Sequence, residues 1–354
     1  MIISLSLSVR VAVNAEALNM AEAVGNYTRH RKAPVVVVSE GGYSVVYVPA
    51  VSGESLAHNY QVLLTQIAKD RKLPVTKLDE GGYFLKFSDD NVLSLYEEDL
   101  KKIIPNYHKD WFKTASYVDI EKAILKASIV ADVGGFLYTT RGVKRTSAIR
   151  FSYMLPTLDA IDKGGVALTP QLHVRYAPLE IAEKAQMLFY LESGSALYTF
   201  TAELTASDIA KLNYSNEDDP ELKKQRLERV RAAVDALIAL VDGMLFGAKR
   251  SRYQPLWDVK SLVVAISKGP VEFIVTPGLI KDYIKKTYER ALALTKAIQE
   301  ETINIYTYNG EGLEEPTVIQ DVKNVTYEKA LSHTDALVKA RDRLLKLIEI
   351  LQLI

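Results

Sequence analysis

Three observations on this sequence predict an α+β fold. Short segments that alternate apolar and polar residues recur along the chain, and this period of two is typical of strands with one buried face. Longer segments carry apolar residues at helical spacing. The strongest segments follow one another in the order strand, helix, strand, strand, helix, strand. This order predicts a ferredoxin-like, or RRM-like, βαββαβ core with large inserted lobes, in a single domain over residues 1–354.

The first predicted element is a strand at residues 1–13, where apolar residues alternate with serines and an arginine. We do not expect a secretory signal there, because the segment alternates and lacks a basic leading region. Residues 35–38 and 43–48 flank Ser-Glu-Gly-Gly and predict a hairpin. A helix should begin near Ser52, since apolar residues then recur at helical spacing.

The middle of the chain is less regular. Residues 73–115 contain acidic runs without a sustained period, and we interpret them as an inserted lobe. A short helix is predicted near residues 118–126 and leads into residues 129–138, which carry two glycines in their middle. Residues 147–155 are predicted to form a strand. Residues 156–178 hold glycines and prolines without a period, and a loop of that length in a compact fold tends to be functional.

The last part of the chain returns to regular patterns. Two strands, at residues 187–191 and 196–204, are predicted to pair across a Ser-Gly turn. A strong helical pattern runs through residues 227–245, and a β-branched strand follows at 262–267. We interpret residues 278–354 as a C-terminal helical extension.

The composition limits the classes of function. Because 44 basic residues balance 44 acidic ones, binding to nucleic acid would have to come from local patches. The chain has no cysteine, which excludes disulfides and cysteine nucleophiles. No apolar run approaches the roughly 20 residues of a membrane span, so we expect a cytoplasmic protein without a membrane partner. The histidines lack paired spacing and nucleotide-binding motifs are absent, so neither a metal nor another cofactor is predicted.

Basic residues are concentrated in four acid-free stretches on predicted loops or strand ends. Phosphate groups attract arginine, lysine and N–H donors, and an unstacked base stacks on a flat side chain. Each stretch alone could be a solvated loop, but four that converge on one groove would form a track for a polyanion. The residues of interest are Asn26, Tyr27, Arg29, His30, Arg31 and Lys32; Arg141, Lys144, Arg145 and Arg150; Lys163, His173 and Arg175; and Lys249, Arg250 and Arg252.

Two further segments could bring the backbone close to a ligand. Ser52 is suited to cap the following helix, and Gly53 would let a ligand approach the first free N–H groups, although capping alone also explains Ser52. Gly135 and its glycine neighbour are expected to permit a close backbone approach, with Phe136 available for stacking.

Five segments together resemble the DevR family, the repeated backbone subunits of archaeal type I-A CRISPR Cascade within the RAMP superfamily. Residues 14–19, 24–30, 48–58, 134–137 and 247–252 read Asn-Ala-Glu-Ala-Leu-Asn, Val-Gly-Asn-Tyr-Thr-Arg-His, Val-Pro-Ala-Val-Ser-Gly-Glu-Ser-Leu-Ala-His, Gly-Gly-Phe-Leu and Gly-Ala-Lys-Arg-Ser-Arg. The last segment contains fewer glycines than the glycine-rich loop of the superfamily.

The resemblance implies an RRM-like palm with inserted lobes and a thumb-like loop within residues 156–178. It also implies a scaffold without nuclease activity, whose copies stack head to tail into a filament along the crRNA beside other Cascade subunits. Such a scaffold grips the sugar–phosphate backbone and leaves most bases free to pair with target DNA. The resemblance places RNA-binding residues at Asn26, Tyr27, Arg29 and His30, at Ser52, Gly53 and Ser55, and at His173.

Two other functions remain open at this point. A metal-independent endoribonuclease that processes the CRISPR precursor RNA could use His30 or His173 as a general base. A developmental regulator with other partners is the third alternative, given the name of the family. For the scaffold, replacing Arg29 or Lys144 with Glu should weaken the binding of all RNA sequences alike and reduce its salt dependence.

Overall fold

The fold is mixed α+β, which confirms the class predicted from the sequence. The structure is a computed structural model that describes residues 1–175, 187–243, 247, 253–319 and 322–353. Within these residues, no helix is both long and apolar enough to cross a membrane.

Strands and helices are numbered in chain order. The strands are β1 (Ile2–Glu16), β2 (Met20–Val24), β3 (Tyr27–His30), β4 (Lys32–Ser39), β5 (Gly42–Pro49), β6 (Phe136–Tyr138), β7 (Val143–Arg145), β8 (Ile149–Phe151), β9 (Leu155–Pro156), β10 (Val166–Arg175), β11 (Met187–Thr205), β12 (Leu256–Gly269), β13 (Thr302–Asn309) and β14 (Val325–Lys329). The helices are α1 (Gly53–Asp70), α2 (Lys77–Glu80), α3 (Asp90–Leu95), α4 (Glu97–Ile103), α5 (Trp111–Thr114), α6 (Tyr117–Ala127), α7 (Ile129–Gly134), α8 (Leu158–Asp162), α9 (Pro220–Gly243), α10 (Tyr283–Ala297) and α11 (His333–Leu353).

One large sheet forms the centre of the described structure, with β1 in its middle. β1 pairs antiparallel with β11 on one side and with β12 on the other. Beyond β12 the sheet continues through β13 to β14, and beyond β11 it reaches β3 and then β2. β8, β9 and β10 also pair with β11, while β4–β5 and β6–β7 form separate hairpins. The edge that carries β2 and β3 positions the candidate site.

Both faces of β1 are buried. Its odd-numbered residues from Ile3 to Val13 are fully buried in the main apolar core, which also contains residues of α1, α9 and α11. The alternating serines on the other face are small, and the Ser6 hydroxyl accepts a hydrogen bond from the N–H of Val275 at 3.1 Å. A second apolar cluster between β12, β13 and α10 lies on that face. The prediction that only one face of this strand is buried is therefore wrong.

Several predicted elements are confirmed, including the β4–β5 hairpin, α1, α6, α9 and β12. Residues 129–138, to which the sequence assigns no element, begin as helix α7, because the Ser128 hydroxyl accepts the N–H of Ala131 at 3.0 Å and caps a helical turn. The predicted turn at Ser193 and Gly194 is wrong. Residues 187–205 form one continuous strand, because Ser193 and Gly194 pair in register with β10 and do not turn.

The predicted additions also differ from expectation. Residues 156–178 are not a loop over their described part, since α8 is followed by β10, which pairs with β11 in a long antiparallel arm. Residues 278–354 are not only helical, because β13 and β14 extend the sheet. The lobe at residues 73–115 contains α2 to α5, and its buried aromatic residues Phe87, Tyr96 and Phe112 belong to the main core.

Candidate nucleic-acid interface

A groove of about 660 Å³ opens where β2, β3 and the start of β4 meet β11. Its lining combines cations with a tyrosine and one carboxylate. The lining residues are Ala21, Val24, Tyr27, Arg29, His30, Arg31, Lys32 and Glu192. The first basic stretch of the sequence therefore does form one surface of the folded chain.

The chain reaches the groove through an irregular segment at the end of β1. The pairing of β1 with β11 shifts its register between Val13 and Glu16, and Ala15 has a φ of 54° in the left-handed region. β2 and β3 then form a ribbon joined by Gly25 and Asn26. Gly25 has a φ of 57°, the left-handed conformation that a tight two-residue hairpin turn requires.

Beneath the groove, His30 and Glu16 form a buried ion pair. His30 Nε2 lies 2.8 Å from a carboxylate oxygen of Glu16, and His30 Nδ1 lies 2.8 Å from the carbonyl oxygen of Arg31. Glu16 also accepts hydrogen bonds from the Tyr198 hydroxyl at 2.9 Å and the Leu18 N–H at 2.8 Å. Because both ring nitrogens of His30 are engaged inside the protein, the expected RNA contact by this ring is corrected to a structural role.

The ion pair shifts the pKa of both partners. Burial acts to lower the pKa of His30, but the hydrogen bond and the charge of Glu16 outweigh it, so this pKa is raised from 6.5. Burial acts to raise the pKa of Glu16, but the hydrogen bond and the charge of His30 lower it from 4.5. Because the pKa of His30 is raised, the protonated ring stabilises the fold fully below pH 6.5, and this stabilisation is lost as pH rises through the pKa of His30 in the folded protein. Because the pKa of Glu16 is lowered, the ionised carboxylate stabilises the fold above pH 4.5, and this stabilisation is lost as pH falls through the pKa of Glu16 in the folded protein.

We therefore expect the pair to contribute most to stability between pH 4.5 and pH 6.5. His30→Gln should lower the free energy of unfolding most within this window, and its difference from wild type should shrink at higher pH. Urea unfolding measured across the pH range checks this, with His58→Gln at an exposed histidine as the control. A His30→Gln effect that does not change with pH would contradict the ion pair.

Arg29 extends into solvent at the groove, whereas Arg31 is partly tied to the fold. The Arg29 guanidinium lies over the Tyr27 ring, 5.7 Å from its centroid. Arg31 Nε donates a hydrogen bond to Asn19 Oδ1 at 2.8 Å, and the N–H of Ser52 donates to the same oxygen at 3.0 Å. Asn19 thus joins the groove to the turn before α1, so two of the predicted site segments are neighbours.

Tyr190 on β11 lies beside Tyr27 and was not singled out from the sequence. The two ring centroids are 6.0 Å apart, with their planes tilted by 41°. Tyr190 is 43% exposed and pairs with Tyr27 in the parallel register of β3 and β11. No local signal could have found it, because only this pairing of distant segments brings the two rings together.

The predicted RNA contacts at Gly135, Phe136 and Arg145 are wrong, because these residues are buried or packed inside the fold. Phe136 is buried, so its ring is not available for stacking on a base. Gly135 has a φ of 72°, and a Cβ there would lie 2.6 Å from the carbonyl oxygen of Arg145. This glycine therefore serves close packing inside the fold. Arg145 is 4% exposed, and its guanidinium pairs with Asp132 at 2.6 Å and with Glu121 at 3.2 Å.

The other described members of this basic stretch do not line the groove. Arg141 donates to backbone carbonyls at the end of α5, including that of Lys113, and so ties the turn between β6 and β7 to this helix. Arg150 pairs with Glu203 at 3.1 Å. Lys144 is exposed but lies outside the groove lining. The predicted convergence of separate basic stretches is therefore not observed for residues 141–150.

The turn before α1 has a structural explanation. The Ser52 hydroxyl accepts the N–H of Ser55 at 3.2 Å and caps the helix, while Ser55 itself is half-buried. A Cβ on Gly53 would lie 2.5 Å from the carbonyl oxygen of Phe151, so packing against β8 requires glycine there. The sequence interpretation of Gly53 as an opening for a ligand is corrected accordingly.

His173 lies on the β10–β11 arm. Its Nε2 is hydrogen-bonded to the Tyr253 hydroxyl, and its ring stacks on Phe189 with centroids 5.1 Å apart. Arg175 ends β10. Its side chain lies outside the described residues, together with the predicted RNA-binding residues Lys249, Arg250 and Arg252.

A groove with exposed cations and partly exposed tyrosines at a sheet edge matches the chemistry of a phosphodiester backbone with unstacked bases. The fold and the site thus define a candidate binding protein for single-stranded nucleic acid. The chain belongs to the DevR/Csa2 family: the family described as CRISPR-associated negative auto-regulator DevR/Csa2 matches residues 7–288. The family resemblance seen in the sequence is confirmed.

Individual relatives agree with this membership. A Saccharolobus solfataricus protein named CRISPR-associated aCascade subunit Cas7/Csa2 2 is 40% identical over 314 residues, covering 88% of this chain and 93% of the relative. A Methanocaldococcus jannaschii protein named CRISPR-associated protein Cas7/Cst2/DevR is 27% identical over 326 residues, covering 85% and 93%. A solved chain of a CRISPR RNA-guided surveillance complex aligns over 96% of this chain and 99% of its own length, with a TM-score of 0.44 and 10% identity.

Proposed function

We propose that this protein is a non-catalytic, crRNA-binding scaffold subunit of a CRISPR surveillance complex of the Cascade type. The observation that carries the proposal is the groove at β3, where Arg29, Arg31 and Lys32 lie beside Tyr27. Family membership and the aCascade name of the S. solfataricus relative support the same function. Cations that bind phosphates do not distinguish bases, which suits a subunit that must hold any guide.

We further propose that the core is an RRM-like palm. β1 lies between β11 and β12 and is antiparallel to both, α1 follows β1 along the chain, and α9 connects β11 to β12. β8, antiparallel to β11, then takes the place of the second strand of a βαββαβ unit. In this architecture, residues 73–115 are an inserted lobe, the β10–β11 arm acts as the thumb, and residues 278–354 extend the sheet before ending in α11.

Copies of the protein would associate head to tail along the crRNA, next to other Cascade subunits, and target DNA would pair with the free bases of the guide. A contact of this kind does not close, and it needs two different complementary faces. Two exposed apolar surfaces support this arrangement, one on the β4–β5 hairpin and one on the β10–β11 arm. Their exposed apolar residues are Val36, Val38, Tyr43, Val45 and Tyr47 on the hairpin, and Leu172, Val174 and Leu188 on the arm.

The state of one candidate base, His30, supports a function without RNA cleavage. His30 Nε2 is bonded to the buried Glu16 and His30 Nδ1 to the carbonyl oxygen of Arg31, whereas the hydrogen bond between His173 and Tyr253 occupies one ring nitrogen, Nε2. A general base needs a free lone pair within reach of the proton that it removes. The geometry of His30 therefore favours the scaffold over an endoribonuclease that uses this histidine, and a cleavage assay with His173→Ala tests the other candidate base.

A nuclease-protection experiment on the purified protein tests this function. We expect protection of a continuous tract that lengthens with protein concentration, equal for CRISPR repeat RNA and an unrelated single-stranded RNA, with both RNAs intact after incubation. Cleavage of the repeat RNA that is abolished by His173→Ala would establish the endoribonuclease instead. Protection of one sequence alone would show base readout and contradict the scaffold.

A further inference from the structure

Among the described side chains that line the groove, one is acidic, and its charge opposes the binding of a polyanion. Glu192 lies on β11 and is 7% exposed. A carboxylate close to phosphate oxygens repels them, so its presence in a cationic groove calls for a compensating role. The contacts of Glu192 supply that role.

Both carboxylate oxygens of Glu192 hold β3. One oxygen accepts a hydrogen bond from the Tyr27 hydroxyl at 2.8 Å, and the other accepts the backbone N–H of His30 at 2.7 Å. The parallel backbone pairing of β11 with β3 covers only the positions of Tyr190 and Leu191. Glu192 is the next residue along β11, and its side chain continues the hydrogen bonding at the point where the backbone pairing ends.

The same strand is fixed from its buried side. The His30 ring is held by Glu16 at 2.8 Å, so His30 is anchored through both its backbone and its side chain. Alternate residues of a strand share a face, which places Arg29 on the side of Tyr27 and its guanidinium over the Tyr27 ring. Holding Tyr27 therefore also fixes the surface on which Arg29 rests.

We infer that Glu192 is a positioning residue for RNA binding, which holds the Tyr27 hydroxyl and the β3 backbone so that Tyr27 offers its ring, and not its hydroxyl, to a base. This inference rests on the proposed RNA-binding function. With its hydroxyl proton committed to Glu192, Tyr27 does not donate to a base edge, and stacking accepts every base because every base has a π-face. The hydrogen-bonding geometry of Glu192 supplies this role, and its negative charge does not.

Four variants test the inference: Glu192→Ala, Glu192→Gln, Tyr27→Ala and Tyr27→Phe. The probe is a single-stranded RNA with one fluorescent adenine analogue whose emission is quenched by stacking. Glu192→Ala should bind about tenfold more weakly, the scale of one lost base stack, with less quenching at saturation. Its salt dependence should match wild type, since no cation is lost. Glu192→Gln keeps an oxygen acceptor for the His30 N–H and places an NH2 donor at the Tyr27 hydroxyl oxygen, so both contacts of β3 remain while the charge is removed. It should therefore bind at least as tightly as wild type.

Tyr27→Phe keeps the ring and should bind more tightly than Tyr27→Ala. The inference is overturned if Glu192→Ala binds and quenches as wild type does, or if Glu192→Gln is as weak as Glu192→Ala. It is also overturned if Tyr27→Phe binds and quenches as wild type does, because the hydrogen bond from the Tyr27 hydroxyl to Glu192 would then not position the ring. Should Glu192→Ala fail to fold in a thermal-unfolding control, the affinities and quenching of Glu192→Gln and Tyr27→Phe test the inference. Wild-type protein that binds no RNA would instead refute the proposed function.

Discussion

Replacing Asp132 with Ala should destabilise the protein by about 3–5 kcal/mol, the usual cost of removing one partner from a buried ion-pair network. Asp132 is fully buried and pairs with two buried arginines, Arg145 at 2.6 Å and Arg229 at 2.8 Å. It also accepts the backbone N–H of Ala210 at 3.0 Å. Without the carboxylate, Arg229 keeps no ion-pair partner among its described contacts. Arg145 keeps one described ion pair, with Glu121.

Urea unfolding at neutral pH measures this change as a lower midpoint. Asp110→Ala is the matched control, since Asp110 pairs with Lys113 on the surface and should leave the midpoint nearly unchanged. Equal midpoints for the two variants would show that the buried network does not stabilise the fold. Because the network contains Arg145, a large effect would also establish this residue as structural.

Reversing the two exposed groove cations, Arg29→Glu with Lys32→Glu, should lower RNA affinity by about a hundredfold at low salt. A hydrogen bond to a charged group contributes about 1.5–3 kcal/mol, which corresponds to roughly tenfold or more for each cation. Both side chains are exposed, so the fold should tolerate the change. A fluorescence-anisotropy titration with single-stranded RNA measures the loss, which should be the same for unrelated sequences.

Lys144→Glu provides the matched control for this double variant. Lys144 is an exposed cation on β7, outside the lining of the groove, and we expect little loss of affinity when its charge is reversed. The structure thereby replaces the expectation from the sequence, in which Arg29 and Lys144 were equivalent. If Lys144→Glu lost as much affinity as the double variant, the RNA-binding surface would not be confined to the groove.

The sequence predicts those parts of the fold that depend on local pattern. β1, the β4–β5 hairpin and α1 follow from periods of two and of 3.6 residues. Prediction from the sequence fails where contacts with other segments determine the local structure. Gly194 resembles a turn residue, but pairing with β10 keeps it within β11. Residues 129–138 are apolar enough for a strand, yet capping by Ser128 begins a helix there.

The candidate site shows the same division. The stretch around Arg29 was predictable because its cations and its aromatic ring are contiguous in the chain. Arg145 belongs to a stretch that looks equally basic, but Asp132 neutralises it from another element. Tyr190 and Glu192 carry no local signal, because they meet Tyr27 only through the parallel pairing of β3 with β11.

The salt dependence of RNA binding tests most directly whether this groove holds the RNA backbone. On single strands, the slope of the logarithm of the binding constant against the logarithm of salt concentration changes by about 0.7 for each phosphate contact. The Arg29→Glu, Lys32→Glu double variant should therefore show a slope smaller in magnitude by about 1.4, while Lys144→Glu keeps the slope of wild type. An unchanged slope for the double variant would contradict the account.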